Sequence, residues 1–248
     1  MNPLSPDGLI LKASLAMYFD WDFVTADRLF QEAREHGASG PDAYLNHIYL
    51  QAIQTKFNAA WDLLAKAKEA EPFLKDWEMV AFNLTMFEGN PERGLELLKS
   101  VRTQMNEETI LLREYAFYFA LDQELELDRI EERLLQVYGA SDTQIQAYRN
   151  LHTPAERRSA FGTYLSEKMQ EWQKSQYVSP VQFAIMQAYA GRPDQAFDLL
   201  DEALRRRDAQ CLFVNVMPAF RPYHEHARFQ QFVSAVGLNM HQVMEPQN

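Results

Sequence analysis

His224-Glu225-His226 holds the one close pair of histidines in this chain, and the single cysteine, Cys211, stands 13 residues upstream. Imidazole, carboxylate and thiolate are the ligand types of a zinc site. The spacing works against one, because side chains two apart on a helix point to different faces. No second cysteine supports it either, so the pair reads as surface histidines around a turn. His36, His47, His152 and His241 are dispersed. Cys211 opens the apolar run 211–217 (CLFVNVM) and reads as a small buried hydrophobe rather than a nucleophile.

Other chemistries fare no better. Serine, histidine and aspartate occur without a G-x-S-x-G elbow. Gly89-Asn90-Pro91 is a turn, not a phosphate-cradling loop. Arg205-Arg206-Arg207 runs straight into Asp208 and reads as a solvated helix end that complements the dipole. Carboxylates are plentiful, but none forms an isolated pair in an apolar setting suited to acid–base work. The expectation is a protein that is not an enzyme, with no catalytic, cofactor or metal residues.

Composition narrows the rest. The 248 residues are 47% hydrophobic and 24% charged, which is ordinary for a globular chain and excludes a disordered one. The net charge of −11 repels phosphate backbones and anionic membrane surfaces, so no direct nucleic-acid binding is expected. No apolar run approaches the roughly 20 residues needed to span a bilayer, so no membrane insertion is expected. Residues 1–8 (MNPLSPDG) lack the basic start of a signal peptide, and one cysteine rules out an internal disulfide framework. Both point to the cytoplasm.

The elements follow from a period. The stretch 56–72 (KFNAAWDLLAKAKEAEP) carries a small residue at Ala60, a large one at Leu64 and another small one at Ala67. The same slots recur 34 residues earlier as Ala26, Phe30 and Ala33, and 34 later as Gly94, Leu98 and Val101. A fixed period of this kind marks a helical-hairpin repeat, in which small residues let paired helices approach. Repeats are expected at 7–40, 41–74 and 75–108. A degenerate one follows at 109–140, with Ile130 in the small slot and the register slipped by two. An irregular hairpin at 141–175 carries capping boxes at Ser141/Gln144 and Thr153/Glu156. The pattern returns at 177–210, where Ala196, Leu200 and Ala203 take the slots. A C-terminal cap is expected at 211–238, its last helix marked by Phe229, Phe232, Val233 and Val236 and ended by Gly237. Residues 1–240 thus read as one unit, and 241–248 as a disordered tail.

The repeat resembles the tetratricopeptide repeat (TPR). That resemblance implies an all-α, right-handed α-solenoid of about five to six hairpins with a C-terminal capping helix. The C-terminal part is similar to TPR regions of bacterial multidomain signalling proteins, among them winged-helix transcription regulators and cyclase-associated proteins. Gly191-Arg192-Pro193-Asp194-Gln195-Ala196 matches their G-R-x-D-E-A, and Pro218, Phe220, Pro222, Arg228, Phe229 and Phe232 match the paired D-P-R-F-type motifs that follow. Met217, Tyr223 and Ala227 depart from the pattern. Phe19-Asp20-Trp21-Asp22-Phe23 resembles the opening repeat. A sensory or scaffolding role beside an effector domain is implied.

In such a solenoid the first helix of each hairpin lines the concave side. The family register then implies a groove of Leu11, Leu15, Tyr18 and Phe19, of Leu45, Asn46, Tyr49 and Ile53, of Met79, Asn83, Met86 and Phe87, and of Tyr115 and Phe119. The partner-binding residues expected are Tyr18, Phe19, Asn46, Tyr49, Ile53, Met79, Asn83, Met86, Phe87, Tyr115 and Phe119, with Tyr49 and Phe87 as anchors. An apolar, aromatic groove suits an amphipathic helix or extended apolar peptide, so a protein or peptide partner is expected; a second copy of the chain is one such partner. The basic clamp that TPR domains use for acidic chaperone tails is missing: only Asn46 is in register, and Leu11, Leu15, Asp76 and Val80 stand where the others would be. The alternative is a ligand-sensing regulatory region of a larger bacterial regulator, its groove holding a small molecule.

Overall fold

The computed structural model describes residues 5–74 and 76–238; the tail expected at 241–248 lies outside them. Among these residues regular structure is entirely helical, with no strand, and no helix is long and apolar enough to cross a membrane. The α-helices are α1 (Pro6–Leu15), α2 (Phe23–Glu35), α3 (Leu45–Ile53), α4 (Phe57–Ala70), α5 (Asp76–Glu88), α6 (Pro91–Val101) and α7 (Glu107–Ala120). They continue with α8 (Glu124–Val137), α9 (Asp142–Arg149), α10 (Pro154–Trp172), α11 (Pro180–Tyr189), α12 (Pro193–Arg205) and α13 (Ala227–Ala235). Their starts follow local chemistry. Ser5 caps α1 ahead of Pro6, and both expected capping boxes form, at Ser141/Gln144 for α9 and Thr153/Glu156 for α10.

Five helix pairs are joined by the same tight turn. Its left-handed residue is Trp21, Thr55, Gly89, Asp122 or Gly191, with φ between 55° and 89°. In four of them the next amide donates back to the carbonyl five residues earlier: Lys56 to Gln51, Asn90 to Thr85, Gln123 to Tyr118 and Arg192 to Gln187. The first turn differs. Asp22 reaches back six residues to Ala16, because 16–20 form a π-helical turn that absorbs one extra residue.

Counting from these turns aligns the buried slots. Ala26, Ala60, Gly94 and Ala196 take the small position, and Phe30, Leu64, Leu98 and Leu200 the large one. The fourth hairpin corrects the expected register. Its turn falls at Asp122, one residue early rather than two late, so Leu127 fills the small slot instead of Ile130. The large slot then falls on Glu131, a carboxylate among hydrocarbon equivalents.

The pairs α1/α2, α3/α4, α5/α6, α7/α8 and α11/α12 pack tightly, and each of the first three also packs on the next; α9 and α10 sit between α8 and α11. The chain after α12 does not simply end the row. A 3₁₀ segment, Ala209–Val216, packs on α3, and a second, Pro218–Tyr223, packs on α7 and α11, while α13 packs on α12. Phe213 sits 6.1 Å from the Tyr49 ring and 5.9 Å from that of Phe87. Arg221 donates to the carbonyls of Met86 and Phe87, and Asn215 to that of Ile53. Arg207 lies 4.7 Å over the Trp21 ring, so the last hairpin also touches the first turn.

Two glycines mark closest approach. A Cβ on Gly94 would stand 2.3 Å from the buried Phe117 ring, and one on Gly162 would stand 2.4 Å from Ala190 Cβ. Alanine at either site gains about 1 kcal/mol of helix propensity but overpacks a contact, at a cost of roughly 1–3 kcal/mol. Gly94→Ala and Gly162→Ala should each lower the urea midpoint without changing the m-value. A raised midpoint would mean that the helices are not in this close contact.

Candidate functional site

The expected groove residues have divergent fates. Phe19 is 69% exposed, and Leu11 and Leu15 are also exposed. Tyr18 donates its hydroxyl to Asn46 Oδ1 at 3.1 Å, and Asn46 in turn donates to Ser14 Oγ. Tyr49 accepts from Asn83 Nδ2 at 3.0 Å and makes edge contacts with Phe87 and Phe213. Met79 is half-buried, whereas Ile53, Met86 and Phe87 are buried. The expected groove is therefore covered at Tyr49, Ile53 and Phe87 by the chain's own 209–217 segment, while its first-hairpin part stays open. Tyr115 is buried too: by the turn register it is the counterpart of Ile48 and Phe82, core residues both.

An open cavity remains farther along the inner side. It measures about 380 Å³ and lies between α7, α10 and α11, with Met86, Met217 and Pro218 at its edge. α7 supplies Leu112, Arg113 and Ala116, α11 supplies Ile185, Met186 and Tyr189, and α10 supplies Phe161, Leu165, Met169 and Trp172. Half-buried Phe119 packs 4.8 Å from Tyr189 beside it. Of the expected residues, only Met86 and Tyr115 line this cavity. Arg113, Arg158 and Tyr189 were not singled out from sequence. One signal could have found Arg113: it stands nine residues before its turn, as Asn46 does before Thr55.

The cavity's cations are matched unequally. Arg158 pairs with Glu124 and lies 6.0 Å over the Phe119 ring, although its Nε is buried without a partner. Arg113 pairs with no carboxylate among the described residues. Its Nη1 rests 3.2 Å from Met86 Sδ, and burial pulls its pKa below the usual arginine range. Glu108, the one carboxylate in the lining, accepts from the Tyr138 hydroxyl at 2.9 Å. A wider cleft of about 870 Å³ between α10 and α12 is lined by glutamines and by cations already engaged, such as Arg192 with Ser159 and Arg206 with Glu202.

Two buried polar clusters lie outside the cavity proper. His47, 2% exposed, is held between Asp27 Oδ1 at 2.6 Å and Arg34 Nη1 at 2.8 Å, and it stacks on Phe30. Arg34 can only donate, so Nδ1 accepts and Nε2–H points to Asp27. With both nitrogens engaged and the ring covered, this Asp–His pair presents no base to a substrate. His224 and His226 serve different contacts: one stacks on Phe229, and the other stacks on Phe197 and caps α13. Cys211 is fully buried, which pushes its thiol up to about 12.

Glu131 is the second cluster. It is 0% exposed and accepts from the Tyr115 hydroxyl at 2.8 Å and the Tyr148 hydroxyl at 2.7 Å. Burial raises its pKa to about 7 against those two hydrogen bonds, with Asp128 raising it further and Arg158 opposing. The charged and titratable groups around it are thus Tyr115 on α7, Asp128 on its own helix, Tyr148 on α9, and Arg157 and Arg158 on α10.

A folded-state pKa above the unfolded one means that stability is full below about 4.5 and is lost as pH rises through about 7. The shift corresponds to a loss on the order of 3 kcal/mol. Urea unfolding of the wild type should therefore show falling stability from pH 5 to pH 8, and Glu131→Gln should flatten that slope. An equal slope in both proteins would show that Glu131 is not the titrating group.

Comparison of this chain with protein-family models, with curated proteins and with solved structures yields no match.

Proposed function

We propose that this chain is a non-catalytic binding module of the TPR type, a right-handed α-solenoid of about five to six hairpins with a C-terminal capping helix, which works in the cytoplasm. The repeat reading is supported by left-handed turns 34, 34 and 33 residues apart, the first three each followed by a small and then a large buried residue. The observation that carries the binding reading is the inner cavity. Its apolar walls come from α10 and from the sides of α7 and α11 that such repeats leave for a partner.

The partner expected is a protein or peptide segment seated at the α7–α10–α11 part of the inner face. The Tyr49–Phe87 part is already filled by Phe213. A second reading, the ligand-sensing region of a larger bacterial transcription regulator or signalling protein, is favoured by the cavity's size. About 380 Å³ falls within the range of small-molecule sites.

Peptide selection from a random library against the intact protein tests the binding reading. Selected peptides should lose at least about tenfold in affinity on Leu112→Glu, which puts an unpaired charge into the cavity wall, with helicity by circular dichroism unchanged. Peptides that bind wild type and variant equally would place the receptor surface elsewhere.

A further inference from the structure

We infer that the cavity between α7, α10 and α11 is a site for a small organic monocarboxylate with an apolar or aromatic body, its carboxylate paired with the Arg113 guanidinium. The inference rests on the reading of the inner face as the receptor surface and specifies what that surface takes.

The first argument is charge. The chain carries 35 acidic residues against 24 lysines and arginines, so acids are not scarce. The other half-buried arginines have oxygen or carboxylate partners. Arg157 has Asp128, Arg158 has Glu124, Arg34 has the Ala43 carbonyl, Arg221 has two backbone carbonyls, and Arg192 has Ser159. Arg113 has only a thioether, a weak acceptor. A desolvated guanidinium without an anion is costly, and the cost is recovered when a carboxylate arrives.

The second argument is donor geometry. The planar fork of an arginine matches a carboxylate bidentately. Tyr189 adds a second donor: it lines the same cavity, interacts electrostatically with Arg113, and its hydroxyl makes no hydrogen bond to a described residue. One unmatched positive charge calls for a monoanion. A phosphate dianion would meet neither a glycine-rich loop nor a second free cation, and the first turn of α7 bordering the cavity carries Glu107 and Glu108.

The third argument is size and lining. About 380 Å³ is the size of a small-molecule site. Phe161, Leu165, Met169, Trp172 and Met186 give apolar and aromatic walls, with polarizable methionines that adapt to different bodies.

Calorimetric titration of the full chain decides the matter. The probes are the saturated monocarboxylates from hexanoate to dodecanoate, 1-naphthaleneacetate, 1-decanol and inorganic phosphate. At least one carboxylate should bind, at least about tenfold tighter than decanol and unaffected by phosphate. Arg113→Met should weaken that carboxylate at least about tenfold, leave decanol unchanged and leave the melting temperature equal or higher, because no ion pair is lost; Arg113→Lys should retain part of the binding. The inference is overturned if no carboxylate binds, if decanol binds as tightly, if phosphate competes, or if Arg113→Met binds carboxylate as well as wild type. Should carboxylates fail while selected peptides remain sensitive to Leu112→Glu, the inference falls and the binding module stands. Should both fail, both fall.

Discussion

Everything in this fold depends on how closely the two helices of a hairpin can approach. Ala26, Ala60, Gly94 and Ala196 bring the second helix against the first just after the turn, and a large residue one turn later fills the widening gap. Because that contact repeats, every first helix is held with one side turned inward. The inward residues then differ from hairpin to hairpin without disturbing the packing. Packing fixes the scaffold and leaves the other positions of each first helix free to vary.

The fourth hairpin departs from this rule, and the departure lies next to the cavity. Glu131 occupies a slot that is hydrocarbon in four other hairpins, and two tyrosines from neighbouring helices satisfy both of its oxygens. One of them, Tyr115, is also part of the cavity lining. A buried carboxylate is thus one residue removed from the open cavity, and polar contacts join the apolar ones that hold α7, α8 and α9 together there.

The first three hairpins were legible in the sequence because small and large residues return there at an unbroken interval of 34. The fourth was not, for two physical reasons. Its turn comes at Asp122, 33 rather than 34 residues after Gly89, and a carboxylate hides the apolar period at Glu131. The inner surface was legible only as an aromatic face. Tyr49 and Phe87 look alike whether a partner or the chain itself covers them, and the covering residue, Phe213, is more than 120 positions away in sequence. Arg221 meets Met86 across 135 positions. Contacts of that range leave no local pattern. Arg113 escaped notice because the apolar pattern of α7 drew attention to Tyr115 and Phe119 on its other sides.

If the α7–α10–α11 cavity takes a small monocarboxylate as inferred, methionine methyl resonances report it directly. Met86, Met169, Met186 and Met217 line the cavity, whereas Met17 and Met79 lie away from it. With methyl-labelled methionine and decanoate as the titrant, the account predicts shifts at the four cavity methyls and none at Met17 or Met79. Shifts centred on Met79, or no shifts at the cavity methyls, would contradict it.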